Sequence, residues 1–198
     1  MVDKFTNYCI ECLPEYTKNI TRTVTIPLNP IKLEKPISLA RKGQPNAPRN
    51  GEPRPPRPDH DHNLEHNPNH RPRVPNTRGI AFNGVIFDGP APLHIILSGY
   101  TIPALDDAGG HVNLDHGYHY HATTGKTKKI TQPDEHAPMI GYAMDGFGLF
   151  NLANEDGSVP KDLDECRGHY DEIRGYHYHV DKAGNNNFIN CFSGAIVN

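Results

Sequence analysis

The chain has 198 residues, of which 35% are hydrophobic and 22% charged, with 18 Gly, 19 Pro, no Trp and a formal net charge of -3. So little apolar material cannot pack the whole length uniformly, and one compact domain with an arm or linker is expected. The slightly acidic balance offers no basic field for gathering phosphates, which excludes nucleic acid as an expected partner. No run approaches the roughly 20 apolar residues of a membrane helix, so no membrane span is expected.

The opening MVDKFTNYCIECLPEY lacks the apolar core of a signal peptide. Either the chain is cytosolic or a leader has been removed from it. Cys9 and Cys12 have redox or zinc spacing, but no second CxxC partners them and no βαβ pattern surrounds them. Asn19-Ile20-Thr21 is a glycosylation sequon, which makes Asn19 a candidate acceptor and points toward export.

Within the arm, residues 1–40, Arg22-Thr23-Val24-Thr25-Ile26-Pro27-Leu28 alternates as a strand does, with Val24, Ile26 and Leu28 on one face. Pro27 confines it to an edge. An isolated strand of this kind adds either to a distant edge of its own sheet or to a neighbouring molecule, so a homo-oligomer or filament built by strand exchange is expected. Residues 41–78 carry nine Pro and four His, with only Ala47, Leu64 and Val74 as apolar side chains. This stretch reads as an extended linker. His62, His66 and His70 would share a helix face, but Pro68 argues against a helix there.

From residue 79 to 198 a compact, mainly β domain is expected. Ile80-Ala81-Phe82, Asn83-Gly84 and Val85-Ile86-Phe87 predict a hairpin with a type I′ turn. Strand-like pieces follow at 94–98, 118–122, 139–150, 176–180 and 187–192, with a short helix expected near Leu163.

An internal repeat organises this domain. At an offset of 58, Leu105-Asp106-Asp107-Ala108-Gly109-Gly110-His111 aligns with Leu163-Asp164-Glu165-Cys166-Arg167-Gly168-His169. Five variable residues follow in each copy, then GYHYH at 117–121 and 175–179, giving nine identities in 17 positions. The pattern marks a duplicated supersecondary unit. On a strand, His119 and His121 share one face and Tyr118 and Tyr120 the other, and His177, His179, Tyr176 and Tyr178 repeat the arrangement.

Two imidazoles one residue apart, joined by His111 or His169, make a three-His metal site in each copy or one shared site. Such donors suit copper or zinc better than calcium. Asp106 and Asp164 are candidate ligands or acceptors that orient an imidazole, and Asp145 in the Asp145-Gly146 turn is a further candidate. Asp162, Asp164 and Glu165 lack the spacing of a calcium loop.

The motifs Asn83 to Asp88, Gly117 to His121, Ile140 to Phe147, Leu163 to Cys166 and Cys191 to Gly194 together resemble the YHYH domain family over about residues 79–194. The resemblance implies an exported domain, extracellular or of the cell envelope, and implies a disulfide between Cys166 and Cys191.

The function expected is a metal-binding structural domain that self-assembles. The alternatives are a metal-dependent hydrolase or copper oxidoreductase at a three-His site, and a glycan-binding module that stacks sugars on Tyr118, Tyr120, Tyr176 and Tyr178. No catalytic residue is assigned.

Overall fold

A computed structural model describes residues 9–13, 16–17, 19–39 and 76–197. Most of the proline-rich stretch, including His62, His66 and His70, lies outside the described residues. The remainder is mainly β. Its central strands are β3 (Thr77–Ala81), β4 (Ile86–Asp88), β6 (Gly110–Asn113), β7 (Gly117–Tyr120), β8 (Met139–Ala143), β9 (Gly148–Phe150), β10 (Gly168–Asp171) and β11 (Gly175–His179). They form one eight-stranded sheet in the order β10-β11-β9-β8-β3-β4-β7-β6.

The strand order is palindromic about the β3/β8 pair. Each half holds one hairpin of the first kind, β3-β4 or β8-β9, and one of the second kind, β6-β7 or β10-β11. The two kinds join through a parallel contact, β4 with β7 and β9 with β11. Antiparallel pairing of β3 with β8 then welds the halves into one sheet. The duplication therefore extends further back than the 17-residue repeat. Gly79 to Phe87 corresponds to Gly141 to Leu149 at an offset of 62, and too few identities survive there to show it.

The first hairpins share one turn. Gly84 N–H donates to the Ala81 carbonyl at 2.9 Å and Gly146 N–H to Ala143 at 2.9 Å. Gly84 has φ 83° and Gly146 φ 89°, whereas Asn83 and Asp145 are not among the residues of positive φ. This is a type I turn closed by a left-handed glycine, not the expected type I′ turn, which would need positive φ at two positions.

The arm also departs from expectation. Residues 22–28 form no strand; the strand is β2 (Lys32–Ser38), antiparallel to the C-terminal β12 (Cys191–Gly194) of the same chain. Pro27 denies the earlier segment a ladder donor, and Pro36 in β2 is tolerated because β2 is an edge of a two-stranded sheet. A second small sheet pairs β1 (Cys9–Ile10) with β5 (Thr101–Ile102) in parallel.

Residues 94–98, expected as a strand, lie in the helix α1 (Leu93–Gly99) of about two turns, because a short apolar run carries no period of its own. No helix forms at Leu163; the segment is a turn held by Asp164.

The core lies on the tyrosine face of the sheet. Phe87 stacks on Phe188 with centroids 4.7 Å apart, and Phe147 meets Tyr176 edge-on at 4.9 Å. Phe192 of β12 and Leu39 beside β2 complete this layer. Burying a ring such as Phe192 is worth about 2–3 kcal/mol, so the arm and the C-terminal strand are structural parts of the domain.

Candidate metal centres

The two YHYH hairpins face their imidazoles away from that core. In the first copy His111 of β6 lies directly across from His119 of β7, and in the second His169 of β10 lies across from His177 of β11. The equal spacer of five residues is the return of the hairpin: Asn113 Oδ1 accepts from Asp115 and His116 N–H, and Asp171 Oδ1 from Ile173 and Arg174 N–H.

The remaining identities of the repeat are explained by one device. Asp106 Oδ1 accepts the N–H of Ala108 and Gly110 at 3.0 Å each, while Oδ2 accepts the Tyr118 phenol at 2.5 Å. Asp164 repeats this with Cys166, Gly168 and the Tyr176 phenol at 2.8 Å. The tyrosine crosses over the glycine. A Cβ at Gly110 would lie 2.5 Å from the Tyr118 oxygen, and one at Gly168 would collide with Tyr176. The Tyr118 hydrogen bond, then the backbone donors, hold the Asp106 carboxyl below its usual range.

Asp106 and Asp164 are thus loop-closing acceptors for tyrosine and not ligands, which corrects that expectation. Asp145 is corrected likewise. It is fully buried on the tyrosine face, accepting from the Tyr178 phenol at 2.6 Å and Gly194 N–H at 2.8 Å, with its pKa raised by burial. Its counterpart Asn83 donates to Tyr120 at 2.9 Å.

The six repeat histidines gather as two separate clusters, one per copy, rather than as one shared site. In the second, four Nε2 atoms converge. His169 lies 3.0 Å from His177 and 3.2 Å from His179, and His136 lies 3.1 Å from His177. Tetrahedral coordination with metal–nitrogen bonds of 2.0–2.1 Å requires separations of about 3.3 Å.

His136 was missed from sequence. It follows Glu135 and precedes Ala137, outside the repeated motif, and no periodicity marks it. Its place in the cluster comes from the segment that leads into β8, which pairs with β9, the strand that in turn pairs with β11.

The tautomers follow from chemistry. Nδ1 of His177 faces the Gly175 carbonyl at 3.0 Å, that of His179 the Asn151 carbonyl at 2.7 Å, that of His136 the Ala137 carbonyl at 3.0 Å, and that of His169 the Asp162 carboxylate at 2.9 Å. None of these oxygens has a proton to give, so each Nδ1 carries the hydrogen. In the neutral rings every Nε2 then presents a lone pair to the others. Burial, and after it the neighbouring imidazoles in part, lowers His177 to about 4 and His179 to about 3, and burial also lowers His136. Four lone pairs at such separations repel unless a cation sits among them.

The mouth of this cluster is acidic, a cavity of about 470 Å³ lined by Asp134, Glu135, Asp156, Asp171 and Glu172 besides His136 and His169. Arg174 bridges Asp134 and Asp171, and Phe150 packs edge-on to His136 and His177 at 4.9 Å each.

Among the described residues the first cluster has three imidazoles. His121 Nε2 lies 3.2 Å from His111 and 3.1 Å from His119. Nδ1 of His119 donates to the Gly117 carbonyl at 3.0 Å and Nδ1 of His121 to the Gly89 carbonyl at 2.6 Å, the counterparts of Gly175 and Asn151. His111 differs. Its Nδ1 is buried without a well-aligned partner among the described residues, and the Val112 backbone and the Asp88 charge oppose the lowering of its pKa. Burial first, then His119 and His121, lowers His111 to about 4, and burial lowers His121.

Cys166 and Cys191 form a disulfide with Cα atoms 4.7 Å apart. Cys9 and Cys12 are free and exposed, and Asn19 is exposed. Tyr120, Tyr176 and Tyr178 are buried and only Tyr118 is partly exposed, so the four tyrosines form no surface for stacking sugars. Among the described residues no helix is long and apolar enough to cross a membrane.

Fold and site together define a duplicated, disulfide-linked β domain whose two halves each present a polyhistidine cluster capable of holding a metal ion. The YHYH protein family model matches residues 63–161, half of the chain, and the chain belongs to that family. The match spans the first copy and the β8-β9 hairpin and stops short of the second GYHYH. No curated protein and no solved structure matches the chain.

Proposed function

We propose that this protein is an extracellular or envelope domain that binds copper or zinc at two polyhistidine centres, with metal consolidating its sheet. The observation that carries the reading is the second cluster, where four Nδ1 hydrogens are committed outward and four Nε2 lone pairs meet. Imidazole donors favour copper and zinc, with copper taken first where it is available. Export is supported by the disulfide, which persists in oxidising compartments.

Elemental analysis of the purified chain tests the metal reading. Two equivalents are expected, falling by one in the paired variant His177→Ala/His179→Ala; a chain that takes up neither copper nor zinc would end it.

Self-assembly is the second part of the proposal. β2 pairs with β12, and residues 39–76 separate it from β3. A chain of that length can span at most on the order of 100 Å, a limit that leaves β2 free to occupy the same groove of a neighbouring copy. Light scattering across a hundredfold range of concentration reads this directly. A strictly monomeric chain throughout would eliminate the arm as an assembly element.

A further inference from the structure

The two centres descend from one unit, yet their surroundings have diverged at three corresponding positions. The carboxylate that holds His169 comes from Asp162, 2.9 Å away; 58 residues earlier stands Ala104, and His111 Nδ1 has no well-aligned partner. The aromatic ring against the second centre is Phe150; 62 residues earlier stands Asp88. The fourth imidazole is His136; 62 residues earlier stands Val74, which carries no ligand atom and lies outside the described residues.

Each change has a chemical consequence. Without a carboxylate behind it, His111 is a less basic ligand, and such an outer partner is typically worth 10–100-fold in metal affinity. With no well-aligned partner for Nδ1, His111 can carry its hydrogen on Nε2 and donate it to His121 at 3.2 Å, which relieves part of the lone-pair repulsion when no ion is bound. In the second cluster every Nδ1 faces an oxygen that takes its hydrogen, so no neutral ring there has that tautomer to offer.

Asp88 is buried, anchored by Asn76 Nδ2 at 2.8 Å and Thr77 Oγ1 at 3.1 Å, and its charge acts on His111 and His121. It lines the same cavity of about 380 Å³ as His111, His119 and His121, walled by Pro92, which precedes α1, and by Ile96 of α1. An ion bound to three imidazoles there keeps a coordination position toward the cavity. A ligand entering that position meets a metal on one side and a fixed anion on the other.

We propose that the His111, His119 and His121 centre is the exchangeable, ligand-accepting one. Its open position takes a small neutral oxygen donor that carries a hydrogen, such as water or an alcohol, while the His136, His169, His177 and His179 centre holds its ion permanently. This rests on the metal-binding reading above. The donor's lone pair forms the bond to the ion, and its hydrogen faces the Asp88 carboxylate. Anions are disfavoured because Asp88 repels them. Exchange at the position breaks one metal–oxygen bond and forms one metal–donor bond, with no change of oxidation state.

Cobalt(II), a spectroscopic stand-in for zinc, tests both levels. The loaded full-length chain is expected to hold two cobalt ions, one released to EDTA at least tenfold faster than the other. Azide, which replaces bound water, should perturb the visible spectrum of the labile ion alone. That response should persist in His136→Ala and vanish in His119→Ala; if His119→Ala does not fold, His111→Gln is read in its place. Asp88→Asn should tighten azide binding about tenfold, and Ala104→Asp should slow release of the labile ion about tenfold.

Two ions leaving at one rate, or an azide response that survives in the folded first-cluster variant, would overturn the division of roles. Unchanged azide affinity in Asp88→Asn would overturn the ligand class. A chain that binds no cobalt would instead overturn the metal reading on which both stand.

Discussion

Acidifying the metal-free protein from pH 7 to pH 4 should destabilise it strongly, and the structure sets the window. His179 is fully buried with a pKa lowered to about 3, against 6.5 when exposed. Below pH 6.5 the unfolded chain takes up a proton that the folded ring refuses. Stability present above 6.5 is therefore lost as pH falls, at about 1.4 kcal/mol per unit for this ring. By pH 4 the loss is about 3 kcal/mol. His177, 1% exposed and lowered to about 4, contributes slightly less.

The sum of about 6 kcal/mol is comparable to the whole stability of many domains. His111 acts in the same direction. Asp145, whose pKa burial raises, acts in the opposite direction as pH falls, whereas the stability that comes from the lowered Asp106 is present above its unfolded value of 3.8 and is lost only below it. Urea unfolding followed by far-ultraviolet circular dichroism, at half-unit steps with the disulfide intact, measures the profile. A midpoint unchanged down to pH 4, with loss only below it, would assign acid sensitivity to carboxylates and refute the buried neutral imidazoles.

Metal should protect in the same assay: an ion held only by the folded chain at a hundred times its dissociation constant adds about 2.7 kcal/mol. A melting temperature indifferent to added zinc and to its chelation would contradict this. Cys166→Ser/Cys191→Ser opens a link spanning 25 residues and should cost about 3 kcal/mol; a loss under about 1 kcal/mol would show that β2 and β12 stay docked without it. Gly168→Ala should lower the urea midpoint more than Gly110→Ala, because Tyr176 is buried and cannot swing aside as the partly exposed Tyr118 can. Tyr176→Phe should cost about 1–2 kcal/mol by leaving Asp164 and Ser193 without the phenol, and its metal content should be unchanged.

The sequence alone determined the mainly β class, the duplication and the two imidazole pairs. Those depend on strand alternation and on a spacer that is a hairpin return, both local along the chain. It also carried, unread, the Asp and Gly that let a tyrosine close the loop before each hairpin, since their spacing fits a ligand as well as an acceptor. Tertiary structure decided the rest. The parallel pairing of β9 with β11, together with the antiparallel pairing of β8 with β9, brings His136 to rings some 33 to 43 residues away in sequence. The choice of β2 over residues 22–28 depended on which segment reached β12. The fate of Asp145 depended on a buried phenol 33 residues distant. Ligand number and orientation are properties of where backbone carbonyls and strands meet in space, and no local pattern of side chains encodes that meeting.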